Sequence, residues 1–81
     1  MIKVGDCVKI VSVHKRDAYS DDGLSGSRGV VQSVDGVNNI KGINYYAGYI
    51  LIDNPSDTAV SEYDYKDPFY FAYAQLRKVK K

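Results

Sequence analysis

The stretch VGDCVKIVSV, residues 4–13, is the part of the sequence that decides the fold class. Val8 and Ile10 fall on one face of a strand by the two-residue period, whereas Val11 and Val13 fall on the other face. An alternating pattern that changes phase predicts a β-bulge or a strong bend between residues 10 and 12. Because barrels are built from bent strands, residues 7–13 are predicted to form the first strand of a small barrel.

Four further apolar runs are short, rich in β-branched and aromatic residues, and separated by Gly, Asn and Asp. No window carries helical spacing over three turns. Strands are predicted at residues 28–35, 45–53, 69–73 and 77–79, with a break from Asp35-Gly36 to Gly42 and one tight turn over residues 74–76. Gly48 interrupts its strand and predicts a bulge or a close backbone contact. The fold class is therefore all-β, a five-stranded, partly open barrel that limits exposed sheet edges.

The length of 81 residues suits one domain, residues 1–81, which buries only about 60–65% of its unfolded surface. A domain of this size without cross-links depends on its apolar interior for stability. That interior is predicted from the inward face of each strand. Its members are Val4, Val8, Ile10, Val31, Val34, Ile50, Ile52, Phe71, Leu76 and Val79.

Cysteine and histidine usage excludes several kinds of site. Cys7 and His14 are the only residues of their types, so neither an intrachain disulfide nor a structural zinc site can form. No apolar run is long enough for a signal peptide or a membrane span, which predicts a soluble, cytoplasmic protein. No cofactor is expected.

No catalytic constellation can be assembled from the chain. His14 has no residue nominated to hold its tautomer, and no histidine follows Cys7 in a recognisable arrangement for a nucleophile. Asp17, Asp21 and Asp22 lack the alternation and closing Glu of a calcium loop. The sequence predicts a binding protein that is not an enzyme and has no catalytic, cofactor or metal site.

Three segments carry a resemblance to a known family. They are VGDCVKI at residues 4–10, GLSGSRGVVQSVD at residues 23–35, and FAYAQLRKV at residues 71–79. In this order they resemble the opening strand, the glycine-rich turn into the second strand, and the closing segment of SH3-like barrels of the KOW type. That type includes the C-terminal domain of the transcription factor NusG and some ribosomal proteins. The resemblance implies an SH3-like barrel in which a one-turn helix leads into the last strand.

Two long loops, residues 14–22 and 55–67, depart from this pattern, and several of the candidate binding residues lie in them. Net charge is only +1, but basic residues gather near the first loop and at the end of the chain. A basic face with one stacking ring would suit nucleic acid. Tyr63 and Tyr65 alternate in the second loop and suggest a tyrosine-lined groove for a peptide. The candidate binding residues are Lys15, Arg16, Tyr19, Arg28, Tyr63, Tyr65 and Arg77, with Lys9 and Lys78 completing the basic set.

Three functions follow from these observations. The resemblance implies a module that docks on a protein of the transcription or translation machinery. The basic residues favour nucleic-acid binding instead. A structural or assembly subunit of a phage or mobile element is the third alternative.

Overall fold

Residues 1–13, 24–57 and 65–80 are described by a computed structural model, and these residues contain five β-strands and no helix. The strands are β1 Cys7–Val13, β2 Arg28–Val31, β3 Gly36–Ile40, β4 Ile43–Asn54 and β5 Phe69–Lys78. None of the described residues belongs to a helix long and apolar enough to cross a membrane.

All strand pairs are antiparallel, and four of the strands close a ring. The sheet order is β2-β1-β5-β4-β3, and an additional β2–β4 pairing joins the first strand of this order to the fourth. In the described part of the chain β3 pairs with β4 alone and lies outside the ring. The structure thus confirms an all-β, five-stranded small barrel, with an arrangement compatible with an SH3-like barrel.

Both irregularities predicted from the sequence are present. The pairing of β1 with β5 shifts register between Ile10 and Ser12, so Val11 is the bulged residue and its side chain is 42% exposed. The pairing of β4 with β5 shifts between Tyr46 and Gly48. A Cβ atom at Gly48 would collide with the backbone carbonyl of Ser33, so glycine is required there by close approach.

The predicted break at residues 35–42 is wrong over most of its length. The second strand ends at Val31, and residues 36–40 form β3, which pairs in regular register with the start of β4. The turn is the dipeptide Lys41-Gly42, in which both residues have positive φ, 53° and 84°. This is the backbone of a two-residue hairpin turn, and Asn39, which was predicted within the break, supports it with a hydrogen bond from β3. Asn39 Oδ1 accepts a hydrogen bond from the Gly42 N–H at 3.2 Å.

The predicted one-turn helix at residues 74–76 is also wrong, because β5 runs through this segment as continuous strand. Ala74 lies opposite Tyr46 on β4 and Val13 on β1, and Gln75 lies opposite Tyr45 and Ser12. The backbone N–H and C=O groups of this segment pair with β1 on one side and β4 on the other. A helical turn here would leave the backbone groups of those two strands without partners.

The interior agrees with most of the predicted core. The buried cluster contains six predicted members, and Val34 and Leu76 pack against it while half-buried. Val79 was also predicted in the core, but it is half-buried beside an open depression and does not belong to the cluster. Leu24, Tyr46, Ala47 and Ala74 are buried as well, although the sequence did not single them out. The six confirmed members are Val8, Ile10, Val31, Ile50, Ile52 and Phe71.

Val4 was predicted in the core and is 63% exposed. The chain turns at this residue: Gly5 has a φ of 90°, and the Asp6 N–H donates to the Lys3 carbonyl at 3.1 Å. A residue at the corner of a turn cannot continue the inward alternation of the strand that follows. Asp6 is buried beside this turn, and its carboxylate accepts a hydrogen bond from the Lys3 N–H at 3.0 Å.

Candidate nucleic-acid interface

Three basic residues form a row across neighbouring strands on the outer surface of the barrel. Lys9 on β1 lies directly opposite Arg28 on β2 and directly opposite Arg77 on β5. Residues directly opposite each other in antiparallel strands project to the same face, with Cα atoms about 4.5–5.5 Å apart. The three cations therefore form one contiguous patch, here named the basic row, although they are far apart in the sequence.

The charges of the basic row are not neutralised by acids of the described chain. Arg28 and Arg77 are exposed, Lys9 is half-buried, and none has an ion-pair partner among the described residues. Asn54, an uncharged residue, lies opposite Arg28 on β4. Like charges directly opposite each other destabilise a sheet. The arrangement is therefore unfavourable for the isolated protein and favourable for an anionic ligand.

Lys78 behaves differently from the basic row. Its partner on β1 is Val8, which is buried in the core. Lys78 Nζ lies 3.6 Å from Asp6 Oδ1, so this lysine forms an ion pair and is not part of the basic row. The lysine side chain is 61% exposed, so the pair contributes little to stability. Lys78, part of the predicted basic set, is thereby separated from the other cations.

An open depression borders the basic row on each side. The first is lined by Lys9, Ile10, Val11, Ser25, Gly26 and Arg77. The second is lined by Cys7, Arg28, Gly29, Asp53, Asn54, Val79 and Lys80. Lys9 and Arg77 thus line one depression, whereas Arg28 lines the other together with the acid Asp53.

Of the predicted binding residues, the structure brings Arg28 and Arg77 together through Lys9. Lys15, Arg16, Tyr19 and Tyr63 lie outside the described residues, as do His14 and the acids of the first loop. The basic row results from the register between β1, β2 and β5. The alternation of residues within one strand does not predict that register.

Tyr65 packs against the barrel. Its ring is stacked on Phe69, with centroids 5.5 Å apart and planes 19° from parallel, and both rings are half-buried against the core cluster. The aromatic ring of Tyr65 therefore contributes to the covering of the interior.

An exposed aromatic pair was missed by the sequence analysis. Tyr49 on β4 lies opposite Tyr70 on β5, and the rings meet edge to face with centroids 5.1 Å apart. The side chains are 45% and 52% exposed. The alternation of side chains predicts that Tyr49 lies on the outward face of its strand. It does not predict that Tyr70 lies opposite, because that depends on the register between β4 and β5. We name these two residues the tyrosine pair.

Within the described ranges no group of three or more His, Cys, Asp or Glu residues could hold a metal ion. Cys7 is a half-buried free thiol on β1. Its carbonyl accepts a hydrogen bond from the Val79 N–H at 2.9 Å, which extends the pairing of β1 with the chain beyond β5.

Comparisons with protein-family models, with curated proteins and with solved structures found no match for this chain.

Proposed function

We propose that this protein is a non-catalytic binding module that contacts the phosphate backbone of a nucleic acid through the basic row. The observation that supports the proposal is the alignment of Arg28, Lys9 and Arg77 across three strands, with no ion pair to an acid among the described residues. In a chain with a net charge of +1, three cations side by side on neighbouring strands are not expected from composition.

The chemistry of the basic row suits phosphate. Arginine presents a planar set of donors that can bind two phosphate oxygens at once, whereas lysine acts as a compact charge. Two arginines flanking a lysine therefore match a run of phosphates. Since contacts of this kind carry no base readout, binding is expected to depend weakly on sequence.

The test is a salt titration of binding to short fluorescent oligonucleotides, single- and double-stranded, in both DNA and RNA. The logarithm of affinity should fall linearly with the logarithm of salt concentration, since each neutralised phosphate releases counterions. The variants Lys9→Gln, Arg28→Gln and Arg77→Gln should each weaken binding and reduce the magnitude of the slope by about 0.7–0.9.

Lys41→Asn is the matched control, because it removes one exposed positive charge at the β3–β4 turn, away from the basic row. Asn tolerates the positive φ of this position. The control should leave the slope unchanged. Absence of binding to all four oligonucleotides at low salt, or an equal effect of Lys41→Asn, would contradict the proposal.

Docking on another protein is the second candidate function, and the tyrosine pair favours it. Tyrosine is enriched at protein interfaces because it presents a large rigid ring and a polar end. Docking through Tyr49 and Tyr70 should persist at moderate salt and be lost in the Tyr49→Ser, Tyr70→Ser double variant, which leaves the basic row intact. The two functions are thus distinguished by salt and by the set of residues required.

Membership of the KOW type and a partner in the transcription or translation machinery stay predictions based on the resemblance. An assembly role in a phage or mobile element stays a prediction as well. The barrel is compatible with each of these proposals.

A further inference from the structure

The outer edge of β3 is a free sheet edge within the described chain. The strand pairs with β4 on one side, and no described strand pairs with its other side. Natural edges are protected by charged residues, proline or bulges. Gly36–Ile40 has the sequence GVNNI, which contains no charged residue and no proline. Its register with β4 is unbroken, so the strand has no bulge. As far as the described strands go, this edge is therefore open to pairing with another strand.

Hairpin geometry indicates which backbone groups face outward. The turn Lys41-Gly42 has two residues, so the flanking pair Ile40 and Ile43 is the hydrogen-bonded pair of the ladder. Hydrogen-bonded and non-hydrogen-bonded pairs alternate along antiparallel strands. The N–H and C=O groups of Val37 and Asn39 consequently point away from β4, toward the free edge.

Two copies of this edge are complementary to each other. If two β3 strands run antiparallel with a two-fold axis at Asn38, then Val37 of each strand lies opposite Asn39 of the other. The outward N–H and C=O groups of these residues then pair in four hydrogen bonds. None of the five residues is charged, so the symmetric arrangement brings no like charges together.

Side chains on the outer face fit the same register. With the axis at Asn38, Ile40 of one copy lies opposite Gly36 of the other, and that glycine leaves space for it. Tyr73 borders this space, because its Oη lies 3.7 Å from where a Gly36 Cβ would be. Ile40 is 38% exposed and Tyr73 is 37% exposed in the single chain. The pairing would bring these two apolar surfaces into contact twice.

We propose that this protein forms a two-fold symmetric dimer by antiparallel pairing of β3 with β3 of a second copy, centred on Asn38. An isologous interface of this kind uses the same patch on both subunits. It lies on the strand outside the ring, so it leaves the basic row on β2, β1 and β5 free. The inference does not depend on nucleic-acid binding.

The test uses charge at the two-fold axis and sedimentation equilibrium up to about 1 mM protein, where a complex of millimolar dissociation constant is still half formed. The unmodified protein should dimerise. Asn38→Lys and Asn38→Asp should each dimerise more weakly than the unmodified protein, because each places like charges opposite one another at the two-fold axis. An equimolar mixture of the two variants should recover a dimer, since the charges are then opposite.

Ala72→Lys is the matched control, because it adds the same charge at an exposed position on β5. It should dimerise like the unmodified protein, and circular dichroism should show that all variants are folded. If the unmodified protein is monomeric at about 1 mM, the proposal is overturned. An Asn38→Lys variant that dimerises as strongly as the unmodified protein would also overturn it. So would a mixture of Asn38→Lys and Asn38→Asp that dimerises no better than either variant alone.

Discussion

Lys9 is the residue at which stability and proposed function oppose each other. It lies between Arg28 and Arg77, with no acid of the described chain to compensate the three charges. Like charges directly opposite across strands destabilise a sheet by roughly 0.2–1 kcal/mol. A stability cost at Lys9 is consistent with a role in binding, whereas a residue that only supported the fold would not be expected to carry such a cost.

Lys9→Gln should therefore stabilise the free protein by about 0.5 kcal/mol at low salt, because it removes repulsion from both arginines while retaining most of the aliphatic stem. Urea unfolding measures this as a higher midpoint. The gain should shrink as added salt screens the charges.

Lys9→Arg serves as the control, since it keeps the charge and should give no such gain. A lower midpoint for Lys9→Gln would mean that packing of the lysine stem outweighs the repulsion. Under the proposed function the same variant loses affinity for oligonucleotides, so stability and binding should move in opposite directions.

At the scale of the elements, the close approach at Gly48 joins β4 to the chain that follows β2. The N–H groups of Gln32 and Ser33 donate to the Tyr49 carbonyl at 2.8 and 3.2 Å, and the Tyr49 N–H donates to Ser33 Oγ at 3.0 Å. The carbonyl of Ser33 lies where a Cβ of Gly48 would be. This contact helps to close the ring after β2 has ended.

Gly48→Ala is expected to destabilise the barrel by about 1–3 kcal/mol, the usual penalty for forcing atoms into filled space. Chemical denaturation of the purified variant measures the loss. Gly36→Ala is the matched control, because its Cβ would be in ordinary contact with Tyr73 Oη at 3.7 Å, and it should lose far less. Equal losses in the two variants would show that the carbonyl of Ser33 moves aside without difficulty.

Local pattern and strand pairing disagree at residues 74–76, and strand pairing prevails. The segment Ala-Gln-Leu favours a helical turn by composition, and its resemblance to the closing segment of KOW barrels pointed the same way. In the structure it is the centre of a ladder with β1 on one side and β4 on the other. Backbone groups bonded on both sides outweigh a propensity difference of a few tenths of a kcal/mol per residue.

At the scale of the whole molecule, stability depends on one small interior. A domain of this size has a total stability at the low end of the range of about 5–15 kcal/mol. Phe71 is 4% exposed and belongs to the buried cluster to which β1, β2, β4 and β5 all contribute. Loss of its ring therefore affects every pair of strands in the closed ring.

Phe71→Ala should destabilise the protein by about 3–5 kcal/mol through lost apolar burial and the cavity left behind. Urea unfolding followed by circular dichroism would show a low midpoint or a chain unfolded without urea. Val4→Ala, at a site 63% exposed, should change stability by less than about 0.5 kcal/mol. A similar loss at both sites would mean that the residues 1–5 turn carries more of the stability than the interior does.

The sequence by itself determined those features that depend on neighbours along the chain. The two-residue period assigned Val8 and Ile10 to the interior, its phase change located the bulge at Val11, and a glycine within a strand located the close contact at Gly48. Each of these follows from the alternation of side chains about one backbone, which requires no knowledge of the partner strand.

Only the tertiary structure decided which strands meet and in what register. That decision made residues 36–40 a strand outside the ring, kept residues 74–76 extended, and aligned Arg28, Lys9 and Arg77 into one row. Register between distant strands is set by the packing of a shared core and by hydrogen bonds across the ladder, which are non-local quantities. The candidate binding surface and the free edge are both products of that register.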